Sequence, residues 1–141
     1  MAVASLLGPS AGGTAFAGFL FGGLWLSPDL DTRSNALHRW GPLSGIWWPY
    51  RRLIPHRSIW SHGPLLGTAV RLLVLLSWTL LISNLIPNTN PNEVLSALKW
   101  ALRNHPQQAL ALLLGLEASV WLHLIQDGDP LPMEWTRRRR R

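Results

Sequence analysis

The chain has 141 residues, 48% of them apolar, and carries 13 Lys and Arg against 7 Asp and Glu. That length suits one domain, and apolar content so high beside so much basic charge requires the two to be segregated along the chain. It contains no cysteine, which excludes disulfides, thiolate zinc sites and cysteine nucleophiles and leaves nitrogen and oxygen as the available metal ligands.

Residues 11–26, AGGTAFAGFLFGGLWL, carry no charge. Together with Val3 to Leu7 they supply about 20 residues of span, near the requirement for crossing a bilayer. The stretch lacks the charged leading region and cleavage site of a secretory signal, so it reads as retained. Gly18, Gly22 and Gly23 would let a second helix approach closely. From Ser27 to Gly63 the chain reads as a loop rich in tryptophan and arginine, with Trp40, Trp47, Trp48, Tyr50, Arg51, Arg52 and Trp60, a mixture selected at membrane interfaces.

Pro64 and Pro87 bracket LLGTAVRLLVLLSWTLLISNLI, the strongest spanning candidate. Its single charge, Arg71, is expected to snorkel to an interface or to meet an acidic residue inside the bundle, with Glu117 the candidate. Val94, Leu95, Leu98, Ala101 and Leu102 recur at helical spacing between Pro91 and His105, which predicts a short surface or interfacial helix. The last apolar block, Gln107 to Asp127, contains Glu117 and His123, and ionisable groups in such a setting are functional candidates.

The expected fold is therefore all-α, a helical membrane protein with about three apolar helices, a short amphipathic helix and a Trp/Arg-rich loop. Residues 1–136 form one domain and residues 137–141 a basic tail. Three crossings put Arg33, Arg39, Arg51, Arg52, Arg57 and the tail on one side, against Lys99 and Arg103 on the other, so the positive-inside rule makes the first side cytoplasmic. Anionic headgroups and topology account for the tail, and no nucleic-acid partner is expected.

The same three crossings return the polar ends of the apolar blocks to one face. Asp29 and Asp31 close the first block, His56 and His62 precede the second, and His123 and Asp127 close the third. His123 and Asp127 stand four apart, so their side chains share one helix face. His56 and His62 are too far apart for one regular helix, which would place one before a helix and the other at its start. Taken singly, each pair also fits ordinary turn or cap chemistry. Together they form a mixed imidazole and carboxylate set suited to zinc first, then manganese or iron.

The run PDLD, then HRSIWSHG, then HLIQD, together with FGGLWLSPDLD and RWGPLSGIWWPYRRLIPHRSIWSHGPLLGT, resembles uncharacterised metal-binding membrane proteins common in photosynthetic bacteria. More distantly it is similar to membrane-bound metal-dependent hydrolases and zinc-dependent phospholipase C-like proteins. The resemblance implies a bacterial membrane location and a metal at Asp29 or Asp31, His56, His62, His123 and Asp127. Family members usually carry a further histidine and aspartate before the first apolar block, and Met1 to Thr14 contains neither residue. Either the start lies upstream or one ligand is missing.

If the distant relatives' chemistry carries over, the substrate is a phosphoester or a lipid. Asp29 or Asp31 then serves as general base, while Arg57 offsets developing phosphate charge. The competing expectation is a membrane scaffold or assembly factor with a structural site and a membrane protein partner. A soluble bundle around buried ligands is the third.

Overall fold

The computed structural model describes residues 8–128, which are helical with no strand among them. The expected extension of the first block through Val3 to Leu7 and the basic tail lie outside the described residues. Helix α1 spans Pro9–Leu24. Gly8 enters it at a φ of 93° and Pro9 takes the first helical position, where proline's missing N–H has no helical partner to lose. The helix is 16 residues long, about 24 Å.

Beyond α1 comes a 3-10 turn, Pro28–Asp31, and then α2, Asn35–His38. A 3-10 segment, Gly41–Trp47, leads into α3, Trp48–Leu53, and α4, Ile59–His62. Three long helices complete the described chain: α5, Leu66–Leu85, α6, Pro91–Asn104, and α7, Pro106–Gln126. Two of them, α5 and α7, are long and apolar enough to cross a membrane by length and composition.

Helices α1 and α7 form the main packed pair, joined through small residues. Ala11, Ala15, Gly18 and Gly22 are buried along one face of α1, and Ala111, Gly115 and Ser119 answer them on α7. Contacts advance together from Ala11 with Ala111 to Gly22 with Ser119, so the two helices run parallel. A Cβ on Gly18 would come within 2.6 Å of the Leu112 carbonyl oxygen, and one on Gly115 would strike the Ala15 carbonyl. Backbone approach this close is what small residues permit in membrane helix pairs.

The stretch expected to be a loop is instead a compact helical cap. Its core is Leu26, Leu30, Ala36, Leu37, Trp47 and Tyr50, packed with Leu116 of α7 and Val70 and Val74 of α5. Trp47 is buried completely, with its ring edge-on to Trp40 and Tyr50, whereas Trp48 and Trp60 are exposed. Cap and long helices are tied by polar contacts. Trp40 Nε1 donates to the Trp25 carbonyl at 2.8 Å and Arg39 Nη1 to the Leu24 carbonyl at 3.1 Å, closing the end of α1. Trp78 Nε1 of α5 donates to the Ile46 carbonyl at 2.9 Å.

Arg71 departs from the snorkelling expectation. It is 1% exposed, donating from Nη1 to the Ser61 carbonyl at 2.6 Å and from Nη2 to Thr68 Oγ1 at 3.1 Å. A buried guanidinium needs such acceptors, and a backbone carbonyl in the cap supplies one. Glu117 accepts from the Leu65 backbone N–H at 3.0 Å, tying α7 to the start of α5. The amphipathic segment is a helix as expected, with no buried residue.

Candidate metal centre

The six residues expected at one face do meet, where the ends of α1 and α7 face the cap. Ser27 starts the 3-10 turn, its Oγ accepting from the Asp29 N–H at 3.4 Å. Because the serine and the proline after it define the turn, neither aspartate is consumed as its cap. Asp29 and Asp31 stand two apart in a structure of three residues per turn, so their side chains diverge. Asp29 turns toward His62 and His123, and Asp31 toward His56 and His62.

His62 ends the single turn of α4 rather than opening α5. Ser58 and Ser61 cap that turn reciprocally, and Arg71 grips the Ser61 carbonyl from below. A Cβ on Gly67 would come within 2.6 Å of that carbonyl oxygen, so glycine is what lets α4 lie against α5. His62 is thereby buried with both ring nitrogens aimed at carboxylates: Nε2 is 3.6 Å from Asp29 Oδ1, and Nδ1 is 3.4 Å from Asp31 Oδ2 and 3.0 Å from Ser61 Oγ.

From α7, His123 brings Nε2 to 3.5 Å from Asp29 Oδ1 and 3.5 Å from Asp127 Oδ2, the pairing expected from their spacing. Arg57 Nη2 lies 3.9 Å from Asp127 Oδ2. His56 Nδ1 is 2.9 Å from Asp31 Oδ1.

Two overlapping sets could hold a metal ion: Asp29, His62 and His123, and Asp31, His56 and His62. Distances separate them. Ligand atoms sharing one tetrahedral ion at about 2.0–2.2 Å stand about 3.3–3.6 Å apart, whereas hydrogen-bonded N and O atoms stand about 2.7–3.2 Å apart. The Asp29 contacts with His62 and His123 fall in the first range, and the Nε2 atoms of both histidines are buried with no hydrogen-bond partner. In the other set Asp31 Oδ2, also buried with no hydrogen-bond partner, stands in the first range from His62 Nδ1, and it is the Asp31 contact with His56 that falls in the second. A neutral imidazole offers one lone pair, and in the tautomer whose Nδ1–H donates to Ser61 Oγ that lone pair lies on Nε2. The donor set fits a divalent cation at Asp29, His62 and His123, with Asp31 and His56 behind His62.

Electrostatics follow the same arrangement. His123 and then His62 hold the Asp29 carboxyl well below the usual range. Burial pushes Asp31 up, but His62 and His56 outweigh it and the net direction is down. Burial also opposes a charge on His62, yet Asp29 and Asp31 push it up to about 9. The metal-free His62 ring thus favours its protonated form, with the charge between the two carboxylates.

Sequence reasoning missed Ser61 and Gly67, which carry no motif, and it gave Arg71 the wrong surroundings. His38 and His105 stand apart from the centre, His105 edge-on to Trp100.

Residues 2–139 match the family model described as uncharacterized metal-binding protein (DUF2227). An uncharacterized protein of Aquifex aeolicus (strain VF5) is 34% identical over 120 residues, covering 78% of this chain and 84% of that protein. No solved structure matches. The nearer resemblance drawn from the motifs is thus supported as to metal binding, while neither match carries a hydrolase name or a photosynthetic source. The chain belongs to the DUF2227 family of metal-binding proteins.

Proposed function

We propose that this is an integral membrane protein holding one divalent cation, zinc first, between Asp29, His62 and His123, and hydrolysing a phosphoester there. The observation that carries the reading is the pair of buried Nε2 atoms that close on one carboxylate oxygen at 3.5 and 3.6 Å without completing a hydrogen bond.

Membrane insertion is supported by an inverted pattern of burial. Helix α5 buries Gly67, Thr68, Arg71 and Ser83 while Leu73, Leu81, Ile82 and Leu85 are exposed. Helix α7 likewise exposes Leu110, Leu113, Leu114 and Ile125. Apolar surface of this extent requires a cover, and lipid supplies one. The arginines of the cap, set against Lys99 and Arg103, favour a cytoplasmic centre.

A bound divalent cation supplies Lewis acidity toward a phosphoryl oxygen and makes water easier to deprotonate. The protein's own groups divide the remaining work. Asp29, His62 and His123 hold the ion. Asp31, whose side chain is 0% exposed, is assigned in this reading to positioning His62 rather than to the general base. Asp127, 31% exposed and held by Arg57, is the carboxylate placed to accept a proton, and Arg57 offsets charge on the phosphate.

A second reading is a structural site within a scaffold, favoured by the 3.5 Å approach of Asp127 to His123, which would let Asp127 complete four ligands. Elemental analysis of detergent-purified protein, its His62→Ala and Asp127→Asn variants, and hydrolysis of a chromogenic phosphodiester separate the two. The enzyme reading expects near-stoichiometric metal in the wild type, none in His62→Ala, and metal without activity in Asp127→Asn. Metal lost in Asp127→Asn, with no hydrolysis by the wild type, selects the structural site. Metal-free, folded wild-type protein ends both.

A further inference from the structure

A groove of about 210 Å³ runs between α1 and α7, lined by Phe19, Leu20, Gly23, Leu24 and Leu122 along its length and by Ser27, Ser119, His123 and Gln126. Its polar lining includes His123, whose buried Nε2 is directed at Asp29 and Asp127. His123 is thus shared between the lining of the groove and the candidate metal centre. Beside it Phe16, Leu20, Phe21, Leu122 and Ile125 are exposed, the surface that a bilayer would cover.

Gly23 shows that the groove is space rather than packing. A Cβ there meets only the Ser119 Cβ at 3.9 Å, whereas one on Gly22, its neighbour, would strike Ser119 Oγ. Gly22 is needed for the helices to touch, and Gly23 leaves room beside them. The volume is below the roughly 300–1,000 Å³ of pockets for drug-sized ligands, which suits a narrow unbranched chain.

The geometry points to a binding site for one acyl chain of a membrane lipid, lying along Gly23 and Leu122 with its anionic head at His123 and the ion. The head half of this assignment rests on the metal reading above, while the chain half stands on the groove. An acyl chain enters sideways from the bilayer without leaving apolar surroundings, and Arg57, beside Asp127, complements the charge of a phosphate head.

The chain has no cysteine, so Leu122→Cys supplies a unique thiol in the groove and Leu73→Cys a control on exposed α5. Each is delipidated, held in a steroid detergent that carries no acyl chain, and alkylated with a maleimide in the presence of methyl phosphate or hexyl phosphate, with and without Co²⁺. Hexyl phosphate is expected to slow alkylation of Leu122→Cys at least about tenfold, since its added methylenes leave water. Methyl phosphate is expected to have little effect, and the control thiol to be unchanged. Adding Gly23→Phe is expected to abolish protection while cobalt uptake persists, which shows that the variant is folded.

Equal protection by both phosphates, equal protection of the control thiol, or protection surviving Gly23→Phe overturns the assignment. Cobalt uptake is read separately. Its absence from the wild type ends the metal reading and the head contact with it, and chain protection then supports or overturns the groove by itself.

Discussion

His123 and Asp29 stand at the ends of different long segments, yet His123 Nε2 lies 3.5 Å from Asp29 Oδ1. Parallel packing of α1 against α7 creates that relationship. Because Gly22 meets Ser119 and α7 runs on past that contact to Gln126, the turn after α1 meets the last residues of α7.

The division between ligand and positioning carboxylate predicts different behaviour for the two aspartates. Asp29→Asn is expected to abolish metal retention. Asp31→Asn leaves His62 in place but weakens its orientation, and is expected to lower affinity about 10–100-fold, the usual effect of losing such a partner. Competition with a chromogenic chelator measures both, and equal losses would contradict the assignment.

Stability of the metal-free protein should vary with pH in a defined sense. His62 is raised from its ordinary 6.5 to about 9, so its contribution is complete below about pH 6.5 and is lost as pH rises through 9. Asp29 and Asp31 are lowered from 3.8, so theirs is present above about pH 4 and fades as the medium becomes more acid. Thermal unfolding of the chelated protein is expected to show a maximum between these limits. Metal uptake must displace the His62 proton, so affinity should rise from pH 6 to 9. A metal-free maximum near pH 9 would be inconsistent with the site.

Two glycines offer a paired test of the helix contact. Gly115→Ala places a Cβ against the Ala15 carbonyl and the Phe19 N–H, both backbone and unable to swing aside, so a loss of about 1–3 kcal/mol is expected. Gly13→Ala in α1 meets nothing within 4 Å and should stabilise by about 0.5–1 kcal/mol through helix propensity. Denaturation in detergent compares them.

Arg71→Met removes the donors to the Ser61 carbonyl and Thr68 Oγ1, and each acceptor left buried and unpaired costs about 1–3 kcal/mol. Because Ser61 precedes His62, metal affinity should fall with stability. Unchanged affinity in a destabilised variant would separate Arg71 from the centre.

Helix type and the approximate extent of α5, α6 and α7 were legible because long apolar or amphipathic periodicity between prolines leaves few alternatives. The cap was not. Leu26, Leu30, Leu37, Trp47 and Tyr50 sit in helical turns too short to show a period, and their burial depends on Val70, Val74 and Leu116 from distant helices. Trp47 therefore resembled an interfacial aromatic, and Arg71 a snorkelling charge, until the fold supplied their neighbours.

By itself the sequence determined which residues could serve as ligands, since only histidine, aspartate and glutamate remain without cysteine, and it placed three pairs of them at the ends of apolar segments. Tertiary structure decided their roles. The 3-10 turn rotates Asp29 and Asp31 apart, and Arg71 with Gly67 fixes the α4 turn so that the two nitrogens of His62 face different carboxylates. Residue type sets what an atom can bind, while direction and distance, which distinguish an ion's ligand from a hydrogen-bond partner, are set by the elements that carry it.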